Sequence, residues 1–127
     1  MSEILKAIKS ELPNGVVSEA IFEGANIVLY TTDKEFFRNS DEKIRDVVKK
    51  VKKRIELRAD TSLLAPQEET EKTIRELVPS EANIESVIFD VQRSIAIVEA
   101  KRPGIVIGKQ GSILKEIRNS TMWTIQT

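Results

Sequence analysis

Between Pro103 and Ile117 the chain reads PGIVIGKQGSILKEI, and no other stretch restricts its possible folds as strongly. Pro103 suits the first position of a helix, where its missing N–H is no loss, and Gly108 suits the left-handed residue that closes one. Ile105 to Ile107 then form a single short turn. Beyond Ser112, residues Ile113, Leu114 and Ile117 recur at helical spacing, so a second helix starts at Gly111 with its first N–H groups facing the loop. The local prediction is a helix, a tight Gly108-Lys109-Gln110-Gly111 loop and a second helix. With no side chain at either glycine, a phosphodiester backbone has room to approach, and the start of the second helix favours its negative charge. The other glycine-lysine motif, the P-loop, does not fit. Gly104 and Gly108 are one residue too close for it, and Gln110 stands where a magnesium-binding Ser or Thr is needed.

Composition narrows the chemistry. The 127 residues include 20 Lys plus Arg and 20 Asp plus Glu, so any contact with nucleic acid must come from local patches. There is no cysteine and no histidine, which removes thiolate chemistry and the commonest zinc ligand and neutral-pH proton carrier. The acids lie scattered, as in Glu68, Glu69, Glu71 and Glu76, and form no catalytic or metal-binding constellation. The chain is therefore expected to be no enzyme in itself and to hold no cofactor. No apolar run is long enough to span a bilayer and no signal-peptide core opens the chain, so a cytoplasmic protein without a membrane partner is expected.

Read in order, the chain shows one pattern twice. A helix from Ser2 carries Ile4, Leu5, Ile8 and Leu12 on one face and ends at Pro13-Asn14-Gly15. Strands over Val16–Phe22 and Ile27–Thr32 flank a turn at Glu23–Asn26, a helical turn covers Asp33–Phe37, a helix runs from Asp41 to about Lys53, and Ile55–Ala59 is a strand. After a break at Thr61–Pro66 the order returns. Gln67–Leu77 is a helix, Ile84–Val91 and Ile95–Lys101 a hairpin, and the Pro103 turn, the GKQG loop, the Ser112 helix and a strand from Met122 follow. Ile21-Phe22 matches Ile88-Phe89, Ile27-Val28-Leu29 matches Ile95-Ala96-Ile97, and Phe36-Phe37 matches Val106-Ile107. This predicts two α+β units of order αββααβ, residues 1–63 and 67–127, each a three-stranded sheet with helices on one face. The same alignment sets Arg38-Asn39-Ser40-Asp41 over GKQG, so the first unit lacks the glycines and carries acid at the helix start. All four phenylalanines fall on predicted core positions, as does Trp123, which leaves no aromatic platform for stacking bases.

An Ile-Val-Ile run, Gly-Lys-Gln-Gly and an aliphatic helix, set between the two consecutive helices of an αββααβ unit, resemble a type II KH domain. In that family the GxxG loop clamps single-stranded nucleic acid. The tandem arrangement, together with RPGIVIGKQGSILKEI and MSEILKAIKSELP, is similar to the N-terminal KH region of the archaeal β-CASP ribonucleases, homologues of the cleavage and polyadenylation specificity factor. The resemblance implies a single-stranded RNA partner, with uridine-rich RNA the first candidate, and RNA contacts at Arg102, Ile107, Gly108, Lys109, Gln110, Gly111, Ser112, Lys115 and Arg118. It also implies a homodimeric parent that acts in RNA 3′-end processing and transcription termination, with zinc held in nuclease domains that this chain does not contain. The ending at Met122–Thr127, in mid-strand, makes a fragment the expectation. The alternative is a protein-interaction module that docks the parent on the transcription machinery or assembles its subunits.

Overall fold

The computed structural model describes residues 3–127, which divide into two compact units with the boundary between Ser62 and Leu63. The expected helix start at Ser2 lies outside the described residues. In the first unit the order is α1 (Glu3–Ser10), β1 (Glu19–Glu23), β2 (Asn26–Thr31), α2 (Lys34–Asn39), α3 (Asp41–Val51) and β3 (Ile55–Ala59). The second unit follows with α4 (Gln67–Leu77), β4 (Ile84–Asp90), β5 (Ile95–Ala100), α5 (Pro103–Ile107), α6 (Ser112–Thr121) and β6 (Thr124–Gln126). Two α+β units of αββααβ order are therefore present, as the periodicity predicts.

Each unit builds a three-stranded mixed sheet, in the orders β1-β2-β3 and β4-β5-β6. The first two strands pair antiparallel through a short turn, whereas the third runs parallel to the second. A parallel return needs a crossover, and the two consecutive helices α2–α3 and α5–α6 supply it. The corner between those helices is thus a structural necessity of the topology, and it is where the two units differ.

In the second unit Ile74 and Val78 near the end of α4, Val98 of β5, Val106 of α5, Ile117 of α6 and Trp123 share one buried cluster. Trp123 meets Phe89 edge to face at a ring-centroid distance of 4.9 Å, and its indole Nε1 donates to the Ala65 carbonyl at 2.8 Å. Burial and hydrogen bonding together account for it as a core residue. The strand expected from Met122 begins at Thr124, because Met122 takes a left-handed conformation (φ 68°) to close α6.

Strand register corrects the sequence alignment of the two copies. Phe22, Ile27 and Ile55 lie across one row of the first sheet, and Phe89, Ala96 and Ile125 across the corresponding row of the second. Ile27 is therefore equivalent to Ala96, not Ile95. The hairpin of the second unit spans residues 91–94 where the first has only Gly24-Ala25, and sequence matching closed that gap in the wrong place. Likewise Phe37 and Val106, both fully buried, are the matching residues of α2 and α5.

The phenylalanines are a second correction. Phe37 is buried and Phe36 and Phe89 are half-buried, but Phe22 is 49% exposed. Lys52 and Met122 close α3 and α6 with the same left-handed cap, so the residue after each is equivalent and Lys53 stands where the second unit has Trp123. Phe22 lacks the aromatic partner that covers Phe89.

Arg58 is a buried charge that alternation along β3 did not reveal. It is 3% exposed, with its guanidinium on Glu23 at 2.6 and 3.0 Å, on Glu56, and on the Tyr30 hydroxyl at 3.3 Å. Burial opposes its charge, but the hydrogen bonds to Glu23 and Tyr30 and the charges of Glu56 and Glu23 outweigh it and hold its pKa above the usual arginine range. Both carboxylates keep some contact with water, so Arg58→Met leaves them able to rehydrate. The expected loss is about 2 kcal/mol, below the 3–5 kcal/mol typical of breaking a fully buried pair. Urea unfolding would show it, and a change below about 0.5 kcal/mol would mean that the pair adds no more than a surface contact.

Candidate nucleic-acid interface

The corner between α5 and α6 is fixed from below. Arg102 precedes α5, and its backbone N–H donates to the Ala82 carbonyl at 3.1 Å, while Pro103 occupies the first turn. Val106 and Ile117 anchor the two helices in the core, with Ile105, Ile113 and Leu114 packed against it. What remains outside is the loop.

Gly108 ends α5 at φ 78° and ψ 174°, a region essentially closed to residues with a side chain, and its N–H donates to the Gly104 carbonyl at 3.2 Å. A Cβ here would lie 2.6 Å from Ile113 Cγ1 and 3.0 Å from the Ile113 backbone nitrogen. Gly108 thus owes its identity to the inside of the corner. Lys109, Gln110 and Gly111 form a 3-10 turn in which Gln110 is left-handed at φ 58° and ψ 28°. Gly111 continues left-handed at φ 75°, and a Cβ on it would meet nothing within 4 Å. The open glycine is therefore Gly111. Sequence reasoning gave both glycines one role, whereas the geometry divides them: one admits α6, the other leaves the surface bare.

Gly111 brings no side-chain oxygen to the start of α6, which carries no acid in its first turn. From residue 101 to 118 the sequence holds Lys101, Arg102, Lys109, Lys115 and Arg118 against Glu116 alone. Arg102, Lys109, Gln110, Ser112 and Lys115 are exposed, Arg118 is half-buried, and Ile107 is 37% exposed beside them. The nine residues singled out from sequence therefore fall on one continuous stretch of α5, the turn and α6. Ile113, which sets the tightness of the turn, was missed. Its only signal in the sequence is its place as the first apolar residue after the second glycine.

The equivalent corner of the first unit is shorter. Only Ser40 separates α2 from α3, and the shared caps and buried positions on either side leave one residue fewer than in the second unit. Asn39 corresponds to Gly108 and Asp41 to Gly111, with nothing to match Lys109. The first turn of α3 carries Asp41 and Glu42. That corner is closed both in length and in charge.

Among the described residues no group of three or more His, Cys, Asp or Glu is placed to hold a metal ion. No helix among them is long and apolar enough to cross a membrane.

Two αββααβ units, one with a glycine-bracketed corner between consecutive helices, define a tandem KH protein. The family model described as "Transcription termination factor FttA, KH domain" matches residues 1–64, and one described as "KH domain" matches residues 69–125. The chain belongs to the FttA KH family. It is 40% identical over 124 residues to transcription termination factor FttA of Methanothermobacter thermautotrophicus, covering 97% of this chain and 20% of that protein. The proteins of the same name from Pyrococcus abyssi and Pyrococcus horikoshii are 39% and 42% identical, over 97% and 84% of this chain and 20% and 16% of their own lengths. The chain thus spans about a fifth of the length of the curated relatives it matches. The crystal structure of APE1850 covers 92% of this chain and 86% of its own at 17% identity, with a TM-score of 0.37, too loose a likeness to carry argument.

Proposed function

We propose that this chain is a single-stranded RNA-binding module whose second unit receives the sugar-phosphate backbone at Gly108–Gly111. The observation that carries the reading is the corner itself. An open Gly111, an acid-free and side-chain-uncapped start to α6, and cations on both sides in the sequence coincide there and nowhere else in the described residues. Lys109, Lys115 and Arg118 neutralise phosphates, Arg102 and Gln110 flank the path, Gly108 shapes it, and Ser112 borders it. Exposed Ile107 offers bases an aliphatic surface. Residues 67–127 form the binding unit, and residues 1–63 a companion with no clamp of its own.

The parent is a cytoplasmic, homodimeric endoribonuclease of RNA 3′-end formation and transcription termination, to which this module delivers uridine-rich transcripts and which contacts the transcription machinery. The name that the relatives carry, transcription termination factor, supports the termination role, and any zinc chemistry falls to segments outside these residues.

Fluorescence anisotropy of labelled oligouridylate, with unlabelled RNA or single-stranded DNA as competitor, tests the module directly. With three phosphates neutralised at the corner, log affinity against log salt should carry a contribution of about 2, at roughly 0.7 per phosphate. Absence of RNA binding at low salt would sink the proposal and favour docking to protein.

A further inference from the structure

The largest concentration of charge lies away from the GKQG corner. Residues 43–54 hold seven basic side chains against Asp46, in a chain whose formal net charge is zero. Lys50 pairs with Glu11 at 2.8 Å. The remaining six, Lys43, Arg45, Lys49, Lys52, Lys53 and Arg54, are exposed and enter no ion pair among the described residues. The arginines Arg58, Arg75 and Arg93, by contrast, all find carboxylates.

The helix dipole explains part of this. Cations are favoured in the last turn of a helix, which covers Lys49 and Lys50, but the effect fades within that turn. It does not reach Lys53 or Arg54, which lie beyond the left-handed cap at Lys52, or Arg45 in mid-helix. Arg45 and Lys49 stand at i and i+4, where like charges repel. Folding gathers these charges with few carboxylates among them, and Lys43, Lys49 and Lys50 border a cleft of about 300 Å³ that Asp46 and Glu11, just past the end of α1, also line.

A protein partner needs an apolar centre in its interface. Among the described residues the exposed large apolar ones are Phe22, Ile88, Val91 and Ile107, and none belongs to α3 or to the turn after it. A face whose own exposed side chains are charged suits a polymer recognised by its charge alone. We propose that the exposed side of α3 and the turn after it, through Arg45, Lys49, Lys52, Lys53 and Arg54, is a second, sequence-independent contact for RNA phosphates. It rests on the RNA-binding reading of the chain and gives the first unit a role that its closed corner cannot supply.

The test is the full chain carrying Arg45→Gln, Lys49→Gln and Lys53→Gln together, titrated with long oligouridylate over a range of potassium chloride. Lys52 is left in place because it holds the left-handed cap. If both contacts act, with three phosphates at the corner and up to five on this face, the parent should show a log-log salt slope of about 5 to 6, and the triple variant should lose about 2, at roughly 0.7 for each of three phosphates. Its circular dichroism should match the parent. An unchanged slope in the triple variant, with binding still lost when Lys109 and Gln110 become aspartate, would overturn this inference and leave the corner as sole contact. A parent that binds no RNA would overturn both readings. Unchanged RNA binding together with lost binding to polyglutamate would also overturn it, assigning the face to an acidic protein.

Discussion

Lys109→Asp combined with Gln110→Asp should weaken binding of a short oligouridylate about a hundredfold. Both side chains stand exposed between the glycines, so the substitutions remove almost no packing. They do change the charge beside the phosphate path by three units, replacing one cation with two anions at a helix start that holds no other acid. A charge-assisted hydrogen bond is worth about 1.5–3 kcal/mol, and repulsion at the same spot adds to its loss, so a total near 3 kcal/mol, or roughly a hundredfold, is expected. The control lies in the first unit. Asn39→Asp with Ser40→Gly alters a corner already closed by Asp41 and Glu42 and should change affinity less than about threefold, below roughly 0.7 kcal/mol. Equal damage from the two pairs, or an aspartate variant that binds with unchanged affinity and salt slope, would remove the clamp from this loop. Long RNA should retain weak, salt-sensitive binding to the double variant through the basic face of α3.

The contrast between the corners shows how far the sequence could be read. Helix, loop and helix at Pro103–Thr121 were legible because proline, two glycines and a helical repeat of Ile and Leu each act locally. The one-residue difference between the corners was not. An alignment by apolar character slides freely between Ile27 and Ile95 or Ala96, since every candidate is apolar, and only hydrogen-bonded register decides. Phe22 illustrates the same limit, because its exposure depends on Lys53 replacing the tryptophan that covers Phe89, a neighbour distant in sequence. Arg58 was hidden for a related reason. Alternation places it opposite Leu57 and Ala59, and whether that side meets solvent or a carboxylate is settled by Glu23, 35 residues away. Residue chemistry fixed by the local backbone can be read directly; burial that depends on long-range partners cannot.

That distinction leads to Gly108→Ala, which should unfold the second unit or come close to it, although the substitution adds one methyl group to a loop. The Gly108 conformation is open essentially to glycine alone, at about 1–3 kcal/mol for a residue with a side chain. The new Cβ would also press on Ile113 at 2.6 Å, and because the Ile113 backbone nitrogen lies at 3.0 Å, a rotamer change alone cannot clear it. Overpacking of this kind costs a further 1–3 kcal/mol, giving about 2–6 kcal/mol in all. A domain of this size has a total stability of only about 3–10 kcal/mol, so most of it is consumed. Gly111→Ala differs in kind, since nothing stands within 4 Å of its Cβ and only the left-handed backbone penalty of about 1–2 kcal/mol applies. Thermal and urea unfolding should therefore rank parent, Gly111→Ala and Gly108→Ala in falling order. Ile113→Ala in the Gly108→Ala background should recover the side-chain share of the steric loss and leave the contact with the backbone nitrogen and the backbone penalty, a coupling of about 1–2 kcal/mol in a double-mutant cycle. Two glycine variants of equal stability, or no coupling to Ile113, would show that Gly108 is not held by the inside of the corner and would return both glycines to the single role their spacing suggests.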